Sequence, residues 1–265
     1  MATSHTTHTT ITPPWPGVPY TLACPEGTPQ ASCDLLSRNT SAWLEADCFE
    51  PEHETAEVLN SLLLGCHAQP CTYVDIGCNI GAFAAQAAAL GVANIVCCKP
   101  TPSYSKAVET TRELNRYDAR NFAVRQVAVV PGAAHGSREF SGTYNPCGIV
   151  PAHRQSSEHH KCEHSRGHGC FWAPETPIRT VLHQAIRMAS SRGGTSSAPP
   201  VTLLKIDIDA NEGSLLSAGV RLIERKEVSS DILCLRAGTT RPTHACLYAP
   251  CFYMHPASYA PCLPW

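Results

Sequence analysis

Three short stretches of this chain hold residues whose types and spacing could do chemistry. The first is Asp75-Ile76-Gly77-Cys78-Asn79-Ile80-Gly81. Glycines at 77 and 81 permit a sharp turn and close approach of a ligand, and the helix that follows offers unbonded N–H groups. The second is Lys99, which closes the apolar run Asn94 to Cys98. The third is Lys205, Asp207 and Asp209, with Glu212 just beyond, at the end of the apolar run that starts at Val201. Asp207, Asp209 or Glu212 could take a proton from a hydroxyl or orient a substrate, with Lys205 as electrostatic partner. The competing reading of Asp209 and Glu212 is as helix N-terminal carboxylates that cap the helix or favour its dipole. An oxygen-ligand site for Mg²⁺ is a lesser reading, and no metal is assigned.

These stretches need a framework that brings strand ends together. Tyr73 to Ile76, Asn94 to Cys98 and Phe122 to Val130 read as strands. Ala82 to Leu90, stopped by Gly91, and Ser103 to Tyr117, capped by Ser103 and packed through Ala107, Val108, Thr111 and Leu114, read as the helices between them. Helices are expected at Glu54 to Leu64 and at Ile178 to Ala189, strands at Ser137 to Tyr144, Val201 to Ile208 and Ser229 to Leu235, and a helix through Leu215, Leu216, Gly219, Leu222 and Ile223. Strands alternating with helices at short intervals predict an α/β fold with parallel pairing. In such a sheet ligands bind outside the carboxyl ends of the strands, where strand order reverses. Asp75, Lys99 and the group at Lys205 to Asp209 are placed there.

The expected organisation is an irregular N-terminal extension over 1–53, a core domain over 54–237 with loop inserts at 131–177 and 190–200, and a Cys/Pro-rich tail over 238–265. A net charge of −2, with charged residues at 16%, supplies no electrostatic footprint for nucleic acid. Met1 to Tyr20 lacks the basic and apolar regions of a signal peptide, and no run is long enough for a membrane span, so the expectation is a soluble, cytoplasmic protein. On that footing the 15 cysteines are not read as a disulfide framework, and Cys78, Cys97, Cys98 and Cys234 are expected to pack as small apolar thiols. The Asn39-Thr40-Ser41 sequon is taken as chance. Cys162, His164, His168 and Cys170, and a second set at His244, Cys246, Cys251, His255 and Cys262, could ligate zinc, but their spacing fits no standard finger. A His-rich surface loop is the preferred reading of the first.

Asp75-Ile76-Gly77-Cys78-Asn79-Ile80-Gly81, Pro100, and Leu204-Lys205-Ile206-Asp207-Ile208-Asp209-Ala210-Asn211-Glu212 together resemble the FkbM family of S-adenosylmethionine-dependent methyltransferases. The resemblance covers roughly Val58 to Leu235. It implies a Rossmann-like methyltransferase fold, a mostly parallel sheet flanked by helices, and S-adenosylmethionine as cofactor. It further implies that Asp75, Gly77, Asn79 and Gly81 line the amino-acid and ribose side of the cofactor; Cys78 is placed with them, Lys99 is expected at the pocket rim, and Lys205, Asp207, Asp209 and Glu212 are the candidate catalytic group. The acceptor would be an oxygen of a small molecule or sugar, and the oligomeric state is open. Three positions depart from the family: Lys99 stands where an acid usually binds the ribose, Asp209-Ala210-Asn211-Glu212 replaces Glu-Gly-Ala-Glu, and Arg236 ends the last strand. They leave a non-catalytic relative as the alternative. A nicotinamide enzyme is a weaker one, because Gly77 and Gly81 do not make the Gly-x-Gly-x-x-Gly pattern.

Overall fold

The computed structural model describes residues 7–12, 19–26, 28, 30, 33, 59, 62–64, 71–134, 136–143, 168–190, 201–208, 212–225 and 232–236. Its strands are β1 (His8–Ile11), β2 (Tyr20–Ala23), β3 (Cys71–Ile76), β4 (Asn94–Cys98), β5 (Phe122–Arg125), β6 (Ala128–Val130), β7 (Ser137–Thr143), β8 (His168–Pro177), β9 (Val201–Ile206) and β10 (Ile232–Arg236). Its helices are α1 (Ala82–Ala89), α2 (Pro102–Leu114), α3 (Ile178–Ser190) and α4 (Glu212–Glu224). Leu59 and 62–64 are also helical, within the helix expected there.

The central sheet has five strands in the order β10-β9-β3-β4-β5, all parallel. The chain builds outward from β3 through β4 to β5, then returns to lay β9 on the other side of β3. Order therefore reverses between β3 and β9. This arrangement is α/β, with a parallel sheet flanked by helices, and is compatible with a Rossmann-like fold. Both faces of the sheet are covered, which is why β3 and β4 are mostly apolar and are buried throughout. On one face Tyr73, Ile95, Cys97 and Leu203 pack with Phe83, Ala84 and Ala87 of α1 and Val108 of α2. On the other, Val74, Ile76, Val96, Cys98, Leu204 and Ile206 pack with Ile178, Val181, Leu182 and Ala185 of α3 and Leu215 and Ala218 of α4.

The N-terminal segment expected to be irregular carries the antiparallel β1–β2 hairpin. Ile11 and Leu22 are fully buried and pack with Ile80, Ala82 and Ala85. The hairpin edge is bonded by α2 rather than by another strand. Thr21 N–H donates to Asn115 Oδ1 at 2.7 Å, Asn115 Nδ2 donates to Thr21 O at 2.6 Å, and Ala23 N–H donates to Thr111 Oγ1 at 2.8 Å. Periodicity missed these strands because each is four residues long and is held by distant partners.

Four further expectations are corrected. The helix expected from Ser103 starts at Pro102 behind Thr101, since proline's missing N–H costs nothing in a first helical turn, and Leu114 is exposed rather than packed. The single strand expected over Phe122 to Val130 is two, because β6 leaves the main sheet to pair with β8. In the insert at 131–177 the strand expected at Ser137 to Tyr144 is present as β7, but the ten-residue β8 lies where loop is expected; the two form an antiparallel pair with Phe140 stacked on Phe171 at 5.4 Å and Arg138 bonded to the buried Glu175 at 2.7 Å. Finally, Cys78 and Cys97 are bonded to each other, Cys24 is bonded to Cys33, and Cys71 is also in a disulfide. Of the four expected thiols, Cys98 is a buried thiol and the Cys234 side chain lies outside the described residues, as do the insert at 191–200, the tail from 237 and Asn39.

No helix among the described residues is long and apolar enough to cross a membrane.

Candidate functional site

The site follows from alternation along β3, β4 and β9. Because successive side chains point to opposite faces, Asp75 shares its face with Tyr73, and Lys205 shares it with Leu203. Register then sets Lys205, Asp75 and Cys97 side by side across three neighbouring strands, one residue from the end of β3 and β9. This polar row lies beneath α1 at the carboxyl edge of the sheet, where strand order reverses, the place the topology favours for a ligand.

Lys205 is the centre of the row. Its Nζ lies 3.4 Å from Asp75 Oδ1, 3.2 Å from Asp207 Oδ2 and 5.3 Å from the centre of the Phe83 ring. The Lys205 and Asp75 side chains are 3% and 0% exposed, whereas Asp207 is 21% exposed. A buried charge pair of this kind offsets its own desolvation only if partners remain in place. Burial raises the Asp75 carboxyl above its ordinary value; the Lys205 charge opposes that shift and the Asp207 charge adds to it. Burial, then the Asp75 charge, pushes the Tyr73 phenol well up as well, so it stays protonated. The phenol and the Asp75 carboxylate interact side chain to side chain, which opposes the upward shift of Asp75, although the contact falls short of strict hydrogen-bonding geometry. Asn79 Oδ1 is buried without a partner. Buried polar atoms are normally bonded; the protonated Tyr73 phenol, which shares a face with Asp75, is the donor available to its carboxylate, so Asn79 Oδ1 is the acceptor left open beside the turn.

The turn is shaped mainly by contacts within the protein. Gly77 has φ +86°, and a β-carbon there would overlap the carbonyl oxygen of Asp207. Gly81 has φ +81°, and a β-carbon would stand 2.9 Å from both Cγ atoms of Val108 on α2. Thus the glycines expected to admit a ligand also admit the backbone after β9 and the side of α2. Asn79 holds φ 50°, a region that asparagine tolerates better than most residues. Three strand ends are laced together here: Gly77 N–H and Cys78 N–H donate to Cys98 O at 2.9 and 3.3 Å, and Asp207 N–H donates to Ile76 O at 2.9 Å.

Lys99 leans toward α2. Its ammonium sits 5.2 Å from the centre of the Tyr104 ring, its N–H donates to Arg125 O at 3.0 Å, and its carbonyl accepts from Ser105 Oγ at 2.6 Å. It is half-buried. The structure thus brings Asp75, Gly77, Cys78, Asn79, Gly81, Lys99, Lys205 and Asp207 to one edge. Asp209 lies outside the described residues, and Glu212 is the first residue of α4. Sequence reasoning passed over Tyr73, Phe83 and Cys97. A usable signal existed for Tyr73, which stands two residues before Asp75 and so must share its face; the other two depend on packing across elements. The zinc sets at 159–170 and 244–262 fall outside the described residues except for the His168–Cys170 backbone in β8, and no metal-holding cluster occurs among the described residues.

No family model, curated protein or solved structure matches this chain.

Proposed function

We propose that the chain is an S-adenosylmethionine-dependent methyltransferase acting on an oxygen of a small molecule or sugar. The observation that carries this reading is the open acceptor Asn79 Oδ1 next to the buried Asp75 carboxyl, at the point where strand order reverses. On this reading the ammonium of the cofactor's amino-acid end donates to Asn79 Oδ1, directly or through water, with the Asp75 carboxyl behind it. Asn79, backed by the buried Asp75, would hold that end of the cofactor. The ribose end fits less well, because Lys99 is donor-only where a carboxylate would accept from two hydroxyls. When bound, the cofactor supplies an electrophilic methyl group.

The chain's own residues then have separate tasks. Asp75, deeply buried and paired to Lys205, serves as a fixed acceptor rather than a proton carrier. Asp207 is the more accessible carboxylate of the two and is the candidate base for the acceptor hydroxyl, steadied by Lys205. Asp209 and Glu212 remain proposed as substrate-orienting or helix-capping carboxylates. A non-catalytic relative of the same fold is the second reading, and the Lys99 contact with Tyr104 favours it.

Thermal shift and calorimetry with S-adenosylmethionine test the proposal. A ligand that binds only the folded chain raises the melting temperature, and Asp75→Asn should weaken that binding by about tenfold, the loss of the carboxyl charge behind the ammonium. No shift at millimolar cofactor overturns the reading. Binding without methyl transfer to a panel of hydroxylated acceptors selects the non-catalytic relative.

A further inference from the structure

The turn at Gly77 to Gly81 is tied to β4 by more than backbone hydrogen bonds. Cys78 sits within the turn and Cys97 within β4, in register with Asp75, and the two form a disulfide with Cα atoms 5.8 Å apart. That spacing is ordinary for a disulfide. The bond spans 19 residues, enclosing the rest of the turn, α1 and most of β4. We infer that Cys78 and Cys97 form an oxidative clamp that fixes the ligand turn onto β4, set once as the chain folds and then held. The proposal does not depend on which ligand the turn takes.

Burial decides between a lasting clamp and a reversible switch. Cys78 is 3% exposed and Cys97 0%, so an attacking thiolate cannot reach either sulfur while the fold is intact. Cys98, the neighbouring thiol, points to the opposite face of the sheet, and burial pushes its pKa up to about 12. It is therefore no internal reductant for the bond. The clamp must form earlier, while the sulfurs are accessible. A small-molecule or protein disulfide is the oxidant: one cysteine thiolate attacks it to give a mixed disulfide and release one thiol, and the second cysteine then displaces the other. Two electrons pass to the oxidant, whose two sulfurs leave as thiols carrying the two protons. Cys24, Cys33 and Cys71 are also disulfide-bonded, which is the pattern of a chain that matures under oxidising conditions. On this proposal the chain matures outside a reducing cytoplasm.

Peptide mapping of the full chain tests the clamp without any ligand. Protein prepared without reductant is unfolded in guanidinium with excess iodoacetamide and cut with chymotrypsin after Tyr73, Phe83, Leu90 and Tyr104. The expected product is the Val74 to Phe83 peptide joined to the Gly91 to Tyr104 peptide, with fragmentation placing the link at Cys97 and the alkyl group on Cys98. Separate peptides alkylated at both Cys78 and Cys97 overturn the proposal. Folded protein exposed to dithiothreitol before mapping should retain the link; loss of the link with the circular dichroism spectrum unchanged overturns the lasting clamp. The Cys78→Ser/Cys97→Ser double variant should melt roughly 6–12 °C lower than the parent, the scale expected for opening a loop of this length. An unchanged melting temperature in that variant shows that the bond does not hold the turn.

Discussion

The two faces of the central sheet are made by the same strands and do opposite things. On the face toward α3 and α4, Val74, Ile76, Val96, Cys98, Leu204 and Ile206 are all buried and apart from one thiol wholly hydrocarbon. On the face toward α1 and α2, the alternating positions include Tyr73, Asp75, Cys97 and Lys205, equally buried but polar or cross-linked. The difference teaches how a short strand serves two needs. Period-two alternation lets each strand give one side to packing and the other to chemistry, provided the polar side is matched across strands.

Breaking the polar match should have the largest effect. Lys205→Met strips the buried Asp75 carboxyl of its compensating charge, so that it must stay ionised at a cost or take up a proton, and should lower unfolding free energy by about 3–5 kcal/mol, read from the denaturant midpoint. The Lys205→Met/Asp75→Leu double variant removes the stranded carboxyl as well and should recover most of that loss. A double variant no better than the single would show that the pair does not stabilise as described. On the apolar face, Leu204→Ala should cost about 2–4 kcal/mol through lost burial and the cavity left behind. It should leave ligand affinity unchanged at temperatures where the variant is folded. A large fall in affinity there would mean that the two faces are not independent.

The smallest effect sharpens the comparison through pH. Asp75 is held above its ordinary value of 3.8, first by burial. The folded chain therefore keeps this proton more tightly than the unfolded chain does. Its contribution to stability is most favourable with the carboxyl protonated, and declines as pH climbs from 3.8 to the folded value, then levels. Unfolding free energy of the wild type minus that of Asp75→Asn should fall over that window. A difference that rises with pH there would contradict the burial of an acid at this place. The apolar face, with no carboxylate, should add nothing to the slope.

Much of this framework was legible beforehand. The ends of β4 and the stop of α1 before Gly91 follow from local pattern, since an apolar run and a left-handed glycine signal themselves within a few residues. The residues of the candidate edge were legible too, because strand ends in an α/β sheet are where polar groups meet. The hairpin of β1 and β2 was not. Its hydrogen bonds go to Thr111 and Asn115, so nothing local reveals it. Nor was the strand β8 inside a segment rich in loop signals, whose pairing with β7 and β6 is what orders it.

The sequence by itself determined which segments are strands and helices at the centre of this protein, and that a glycine turn follows Asp75. Tertiary structure alone decided that Lys205, 130 residues away, is the partner of that carboxylate. It also decided that the backbone of Asp207 fills the space above Gly77, and that Cys78 and Cys97 meet. The physical reason is the range of each signal. Burial and backbone preference act residue by residue and repeat with the local period. Strand order and register are settled only when distant strands, helices and sulfur atoms compete for the same interior.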